Sequence, residues 1–381
     1  MAFEHYIYSN GKKLRCGFTT GTCAALAASG AAQRLLTGRW PASVSLRTPK
    51  GLLVEVPLED CRMEGPSAVC GVRKDGGDDV DQTTGALVQA AVSPSVQPGI
   101  SIEGGPGVGR VTRPGLDQPV GSAAINRVPR QMIREQVASL CRQTGYEGGL
   151  QVTISVPAGE QIAQRTFNPR LGIEGGISIL GTSGIVEPMS EKALVESIHV
   201  EMKQHFTQGE KYLLVTPGNY GADYLREHMT LPFERNIKCS NYVGETIDMG
   251  VKGILFVAHI GKFVKVAAGI MNTHSHSADA RMEVLAANAL RVGADGDTAR
   301  DILNCNTTDD ALDILHEKGL LEPAMQEIME RIQFYLDHRS YEQIKLGAVV
   351  FNNVYGYLGK RDAGELIQEI QKQDEMLKLQ M

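Results

Sequence analysis

Alternating strands and helices in the second half of the chain constrain its fold most. After residue 175, short apolar runs at 177–180, 212–218, 236–241 and 253–261 are each followed by a segment with helical periodicity. The predicted helices lie at about 190–207, at 220–229, in VGETIDMGVKG and in ADARMEVLAANALRVG. Strands and helices that alternate at this spacing favour a mostly parallel sheet, with ligands at the carboxyl ends of its strands. A last strand is predicted in GAVVFN, before a helical tail.

The first half has a different order of elements. An Ala-rich helix is predicted from about Thr22 to Leu36, and SVSLRT and GLLVEVPL predict a hairpin. A second helix should run from Pro129 to about Gln143, and AGEQIAQRTF could form a short third one. The pattern predicts an α+β domain at 1–170 and a Rossmann-like α/β domain at 171–381.

Composition excludes several classes of protein. The 381 residues are 42% apolar and carry a formal charge of -6 without a basic run, so nucleic acid is not an expected partner. The polar amino terminus and the charges that interrupt the longest apolar stretch argue against a signal peptide and a membrane partner, so we expect a cytoplasmic protein. Seven cysteines without a CxxC pair argue against a disulfide framework, a zinc knuckle and an iron–sulfur cluster. Homo-oligomerisation is left open.

The glycine-rich run GIEGGISILGTSGIVEPMS (172–190) is the strongest candidate ligand loop. Its GTSG turn, Gly181 to Gly184, stands between a predicted strand and a predicted helix, where glycines let a ligand approach the backbone. It matches neither GxGxxG nor the GxxxxGK of nucleoside triphosphatases. An ordinary tight turn explains the spacing equally well.

Three other stretches concentrate polar residues. EGGPGVGRVTRPGL (103–116) carries Arg110 and Arg113, which suit carboxylate recognition, although a hairpin with glycine turns is the simpler interpretation. KDGGDDVDQTTG (74–85) holds four aspartates that could bind Mg²⁺ or act as acid or base. Solvated loop residues or caps of a following helix would explain them equally. HIGKFVKVAAGIMNTHSHSADAR (259–281) holds two lysines, for which binding of an anionic substrate competes with simple solvation. It also holds a His-x-His pair, for which metal ligation competes with helix capping or hydrogen bonding.

Longer stretches carry a family resemblance. LRCGFTTGTCAALAA, KDGGDDVDQTTG, GGPGVGRVTRPGL, GSAAINRVPRQMI, TFNPRLGIEGGISILGTSGIVEPMS, SNYVGETIDMG and HIGKFVKVAAGIMNTHSHSADAR follow one another in one order from about Leu14 to Arg281. Together they closely resemble the cobalt-precorrin-5B (C1)-methyltransferase family of anaerobic cobalamin biosynthesis.

The resemblance implies methyl transfer from S-adenosylmethionine to carbon 1 of cobalt-precorrin-5B, giving cobalt-precorrin-6A. Cobalt would enter as part of the substrate, and the first domain would contact the corrinoid. We expect the methyl donor to lie at the GTSG turn and at strand ends near Thr216. The expected donor-binding residues are Gly181, Thr182, Ser183, Gly184, Glu187, Ser190, Asn219, Asn241 and Glu245.

The substrate's acetate and propionate carboxylates require cations and hydrogen-bond donors in its pocket. The expected substrate-binding residues are Arg15, Thr19, Thr20, Arg110, Arg113, Arg130, Arg170, Lys262, Lys265, His274, His276 and Arg281. Displacement at an activated sulfonium methyl mainly needs alignment, and His259 or Asp78 would act if a general base is required. The alternatives are a Mg-dependent small-molecule phosphotransferase and a non-catalytic corrinoid-binding protein.

Overall fold

The structure is a computed structural model that describes residues 3–9, 11–239, 243–247 and 251–379, without the side chains of Ser9, Glu245 and Thr246. The chain divides into two compact units, Met1–Glu191 and Lys192–Met381. It is a mixed α/β protein with several separate sheets.

The first unit contains fifteen of the described strands and three of the described helices. Its strands are β1 (Tyr6–Ser9), β2 (Lys12–Arg15), β3 (Gly17–Phe18), β4 (Val44–Arg47), β5 (Leu53–Val56), β6 (Glu59–Glu64), β7 (Ser67–Arg73), β8 (Leu87–Ser95), β9 (Ile100–Gly104), β10 (Gly107–Val108), β11 (Arg110–Val111), β12 (Gly149–Ser155), β13 (Ile173–Glu174), β14 (Gly176–Ile177) and β15 (Ile185–Val186). Its helices are α1 (Thr20–Thr37), α2 (Arg127–Thr144) and α3 (Gly159–Ala163).

Helix α1 is the centre of the first unit. Its residues 20–32 are all buried, and its small side chains let it pack closely on β7 and β8 of a five-stranded sheet ordered β6-β7-β8-β12-β9. Gly38 ends the helix at φ 74°, and its N–H group donates to Arg34 O at 2.9 Å. The predictions of α1, of the β4–β5 hairpin, of α2 and of the short α3 are confirmed.

The segment 171–191 differs from its prediction. In place of the expected strand 177–180, the structure has the two-residue strand β14, Gly176–Ile177. The next strand, β15, pairs with β3, and the following helix begins only after it. The strands β13 and β14 pair with β11 and β10, so residues that we assigned to the second domain pack within the first unit. The GTSG turn therefore joins two short strands and is not a strand-to-helix turn.

The second unit contains the remaining elements. These are α4 (Glu191–Thr207, whose first residue closes the first unit), β16 (Tyr212–Thr216), α5 (Asn219–His228), β17 (Asn236–Lys238), α6 (Val243–Ile247), β18 (Gly253–His259), α7 (Ile260–Phe263), α8 (Arg281–Arg291), α9 (Gly296–Leu303), α10 (Thr308–Glu317), α11 (Leu321–Ser340), β19 (Lys345–Asn352), β20 (Gly356–Arg361) and α12 (Ala363–Leu379), with 3-10 turns at Phe233–Arg235 and Val264–Ala268.

Its sheet has the order β17-β16-β18-β19-β20, in which every pairing is parallel except β19 with β20. Both faces are buried, because alternate residues such as Phe256 and Leu255 enter different apolar clusters. The four parallel strands were predicted, whereas β20 was missed because its sequence GYLGKR has little apolar alternation. None of the helices in the described ranges is long and apolar enough to cross a bilayer.

Candidate functional site

The amino end of α1 is closed by the loop between β14 and β15. Thr19 N donates to Gly184 O at 3.1 Å, and Gly21 N donates to Leu180 O at 3.0 Å. Thr22 N donates to the side chain of Thr19 at 3.2 Å. Because the chain itself accepts from these N–H groups, this helix end does not present them to a ligand. Thr20, expected to contact the substrate, is likewise buried, with its hydroxyl 3.0 Å from Leu180 N.

The glycines of the GTSG turn have a packing role. A Cβ atom on Gly181, at φ 135°, would lie 2.3 Å from Thr19 Oγ1. A Cβ atom on Gly184, at φ 77°, would lie 2.8 Å from Thr48 Cβ. A side chain at Gly181 would therefore push the loop away from the start of α1, and one at Gly184 would push it away from the β4–β5 hairpin. Donor binding by this turn stays a prediction that the geometry does not require.

The other residues of this loop make local contacts. The Ser183 hydroxyl bonds Ile185 O at 3.0 Å, and Thr182 lines a shallow cleft with Pro49 of the hairpin and residues of α2. Glu187 forms an ion pair with Lys50, which ties the loop to the β4–β5 hairpin. Ser190 lies half-buried directly before α4.

The acidic loop 74–85 is fastened to its surroundings through its carboxylates. Asp75 accepts two hydrogen bonds from the Arg15 guanidinium, at 2.5 and 2.8 Å, and Asp78 accepts one from Arg15 N at 2.7 Å. Asp79 accepts from Met189 N at 3.1 Å. Arg15 and Asp78 thus meet in one cluster, although they were assigned to different roles.

Lys74 and Asp81 form the most buried ion pair in this loop. The distance between Lys74 Nζ and Asp81 Oδ2 is 2.5 Å, and the Lys74 side chain is 2% exposed. Burial opposes ionisation of Asp81, but Lys74 and Thr83 outweigh it and lower the pKa of this carboxyl. Among the described residues, no three His, Cys, Asp or Glu side chains are placed to hold a metal ion. The hydrogen bonds and ion pair of these aspartates hold the conformation of the loop. The role of Asp78 as a general base stays a prediction.

Arg15→Gln is expected to reduce the acid sensitivity of the first unit. Hydrogen bonds from Arg15 hold the pKa of Asp75 below its ordinary value. Such a carboxyl contributes stability that is present above its unfolded pKa of about 3.9 and is lost as pH falls through the lower folded pKa. Urea unfolding followed by the fluorescence of Trp40, the single tryptophan, should show lower stability at neutral pH and a smaller further loss on acidification. An acid loss equal to that of the parent and of Lys12→Gln would contradict the assignment.

The four predicted substrate arginines between residues 110 and 170 divide into two groups. Arg130 points inward and donates to Ile125 O at 2.8 Å and Ile102 O at 2.9 Å, and burial lowers its pKa. It therefore holds backbone carbonyls, in contrast to the expected contact with substrate carboxylates. The exposed members of the set are Arg110, Arg113 and Arg170. Arg113 donates to Arg170 O at 3.4 Å, so these two lie together.

The carboxyl ends of three neighbouring strands form the candidate site of the second unit. β16, β18 and β19 end at Thr216, His259 and Asn352. After β16 the chain turns at Gly218, at φ 82°, and α5 begins at Asn219. The N-cap position is a glycine, which has no side chain to cap the helix. The Thr216 hydroxyl is fully buried and has no hydrogen-bond partner in the described part of the chain.

His259 has a defined tautomer at this edge. Its Nδ1 accepts a hydrogen bond from Gly261 N at 3.0 Å, so the proton of the neutral ring is on Nε2. Burial lowers the pKa of His259, which favours the neutral ring, and nearby Asp309 opposes this shift. In this state Nε2 donates and cannot accept a proton. The predicted role as a general base would require another tautomer and stays a prediction.

The two lysines after β18 differ in position. Lys262 is exposed, whereas Lys265 is 2% exposed and donates to Ala278 O at 2.7 Å and Thr273 O at 3.3 Å. Where we expected Lys265 to meet the substrate, the structure has an interior ammonium that holds both ends of the following loop. Burial lowers the pKa of Lys265.

The loop that Lys265 holds carries His274 and His276. Both side chains are exposed, and His274 Nδ1 accepts from His276 N at 3.1 Å. At the end of this loop Arg281 pairs with Asp279 at 2.8 Å and lowers the pKa of Asp279 to about 2. The guanidinium is therefore already engaged by a carboxylate.

Two predicted donor residues cannot be placed. Asn241 lies outside the described residues, and Glu245 belongs to α6 but its side chain is not described. Conversely, sequence reasoning missed Thr308, Asp309 and Asn352 at the strand edge. Asn352 could have been found, because it is a polar residue at the end of an apolar strand. Nothing in the local sequence of α10 points to Asp309.

Comparisons with family models and with curated relatives point to the same family along the chain. The family model described as CbiD matches residues 7–188, and the model described as CbiD, C-terminal domain, matches residues 272–362. A cobalt-precorrin-5B C(1)-methyltransferase of Ruminiclostridium cellulolyticum is 46% identical over 98% of this chain and 99% of its own length. One of Thermoanaerobacter sp. is 42% identical over 96% and 100%.

A solved structure is also similar. The crystal structure of a cobalamin biosynthesis protein (cbiD) from Archaeoglobus fulgidus is 29% identical and covers 73% of this chain and 87% of its own, with a TM-score of 0.41. The two family models and the near-complete coverage of the curated relatives show that this chain belongs to the CbiD family of cobalamin biosynthesis proteins.

Proposed function

We propose that this protein transfers a methyl group from S-adenosylmethionine to carbon 1 of cobalt-precorrin-5B, giving cobalt-precorrin-6A and S-adenosylhomocysteine. The observation that carries the proposal is 46% identity to a curated methyltransferase of this name over nearly the whole chain. None of the described residues favours the phosphotransferase alternative, because the aspartates that would hold Mg²⁺ accept hydrogen bonds from the chain or pair with its cations.

The methyl donor fits the strand edge of the second unit. We propose a Rossmann-like arrangement there: the strand order changes direction between β16 and β18, and ligands of such sheets lie at that point. The uncapped start of α5 suits the donor's carboxylate, because N–H groups and the helix dipole favour an anion. The hydroxyl of Thr216 supports this assignment. It is buried and has no hydrogen-bond partner in the described part of the chain, and a buried hydroxyl without a partner is costly.

The bound donor supplies an activated methyl group on a sulfonium, so the protein's own contribution is chiefly positioning. Neutral His259 offers a hydrogen bond from Nε2 at the strand edge and places no cationic ring beside a cationic sulfonium. In the first unit, the exposed Arg110, Arg113 and Arg170 are proposed to receive substrate carboxylates. The interior positions of Arg130 and Lys265 leave them as supports of their loops.

Calorimetry with S-adenosylhomocysteine, S-adenosylmethionine and Mg-ATP tests the proposal, together with transfer of a labelled methyl group to cobalt-precorrin-5B. We expect both sulfur ligands to bind, ATP not to bind, and label to appear in the corrinoid. Corrinoid binding without donor binding would instead identify a non-catalytic carrier. Metal-dependent ATP binding with no response to either sulfur ligand would identify a phosphotransferase.

A charge at the first turn of α5 should weaken donor binding selectively. Tyr220 is exposed there, 5.3 Å from the His259 ring between ring centroids. Tyr220→Glu should bind S-adenosylhomocysteine about tenfold more weakly than Tyr220→Gln at low salt, because the new carboxylate repels that of the ligand. An analogue that lacks the carboxylate should bind both variants equally. Equal binding of S-adenosylhomocysteine itself would move the carboxylate away from α5.

A further inference from the structure

Asp309 is held at the carboxyl end of β19, although it belongs to the first turn of α10. Asn352 Nδ2 donates to Asp309 Oδ1 at 2.8 Å. Asn352 is 1% exposed, and its Oδ1 accepts from Val354 N at 2.8 Å and Tyr355 N at 3.1 Å. Its amide is therefore fixed by the turn after β19 and fixes one oxygen of Asp309. The Asp309 residue as a whole is exposed.

A second observation marks this place as incomplete. Thr308 is 4% exposed, and within the described ranges its hydroxyl has no hydrogen-bond partner. That hydroxyl lies 4.0 Å from the position a Cβ atom of Gly261 would take, at the start of α7. His259 pairs in register with Phe351, the residue before Asn352. The first turn of α10 and the end of β18 thus bring a carboxylate, a hydroxyl without a partner among the described residues, and the His259 ring to one edge of the sheet.

Strand spacing decides which part of the donor reaches Asp309. Neighbouring strands are about 4.8 Å apart, so β19 lies about 10 Å across the sheet from β16. In register, β19 also continues three residues beyond the level at which β16 ends, so its end is about 14 Å from the end of β16, where α5 begins. The donor's amino group shares a carbon with its carboxylate and stays near α5 when the carboxylate binds there. The ribose hydroxyls are the next polar groups along the molecule, and a carboxylate oxygen is a suitable acceptor for them.

We propose, resting on the donor site proposed above, that Asp309 determines specificity by accepting hydrogen bonds from the ribose hydroxyls of the donor, with Asn352 as its positioning residue. Asn352 donates a hydrogen bond to one carboxylate oxygen of Asp309 and leaves the other oxygen for the ligand. A side chain from α10 thereby completes a site whose other parts follow β16 and β18.

Calorimetry with S-adenosylhomocysteine and its 2′-deoxy analogue tests this inference. Asp309→Asn keeps an oxygen for Asn352 and replaces the outward oxygen by an amide. Glu317→Gln is the matched control, because it removes the same charge at the exposed far end of α10. The parent and the control should bind S-adenosylhomocysteine about tenfold more tightly than the deoxy analogue. Asp309→Asn should lose most of this preference and bind the deoxy analogue as the parent does.

The outcomes separate the two proposals. If the parent binds S-adenosylhomocysteine and Asp309→Asn keeps the full preference for the ribose hydroxyl, Asp309 has no such role and the donor site stands. If the parent binds neither ligand, the donor proposal fails and this inference fails with it. Equal losses in Asp309→Asn and Glu317→Gln would show a general charge effect and overturn the inference. Thermal unfolding of each variant checks that the fold is intact.

Discussion

Lys74→Met should lower the free energy of unfolding of the first unit by about 3–5 kcal/mol. Lys74 Nζ lies 2.5 Å from Asp81 Oδ2, and the side chains are 2% and 23% exposed. Removing the lysine leaves a largely buried carboxylate without its cation, which costs far more than the intact pair contributes. Urea unfolding followed by Trp40 fluorescence measures this effect, because Trp40 packs against the core of the first unit.

Two further variants test the cause. Lys74→Met combined with Asp81→Asn should recover much of the loss, since the asparagine is neutral and can still accept from Thr83 N as Asp81 Oδ1 does. Arg73→Met, which removes the exposed ion pair with Glu59, should cost no more than about 1 kcal/mol. The assignment fails if the double variant is less stable than Lys74→Met or if the Lys74 and Arg73 variants are equally stable.

Gly181→Ala should cost about 2–5 kcal/mol of stability in the first unit. The residue has φ 135°, and the added methyl would lie 2.3 Å from Thr19 Oγ1 and 2.5 Å from Thr19 Cβ. Backbone strain and overpacking therefore add at one position. The same unfolding experiment measures the loss.

Gly175→Ala is the matched control, because that glycine has φ 77° and, within the described ranges, no atom lies within 4 Å of an added Cβ. It should show only the backbone cost, about 1–2 kcal/mol. In a Thr19→Gly background, Gly181→Ala should become less costly, since the clashing side chain is gone. If Gly181→Ala instead keeps full stability and abolishes S-adenosylhomocysteine binding, the turn is a donor loop, as its sequence first indicated.

These results separate two explanations that the sequence could not. The run GTSG is glycine-rich in either case, because both a close ligand and a close helix exclude side chains. In this fold the close neighbour of Gly181 is Thr19, which lies more than 150 positions away in the chain. Periodicity carries no information about contacts at that separation.

The strand edge of the second unit was more predictable. Thr216 and His259 end apolar strands and Asn219 follows one, and the carboxyl ends of parallel strands meet at one edge. Asp309 could not be found in this way, since its place depends on the packing of α10 and on a hydrogen bond from Asn352. The interior direction of Arg130 and Lys265 was equally hidden, because a charged side chain in a sequence does not reveal which carbonyls it will meet.

Local periodicity and long ordered runs of residues predicted α1, α2, α4, α5 and α8, the parallel strands of the second unit and the family. Which polar groups remain available for ligands depends on contacts between distant segments and could not be predicted from periodicity. Arg15, Thr20, Lys74 and Lys265 have partners in the fold, whereas the buried hydroxyls of Thr216 and Thr308 have none among the residues that the structure describes. The physical reason is that a buried polar group must find a partner, and that partner is chosen by packing between distant segments.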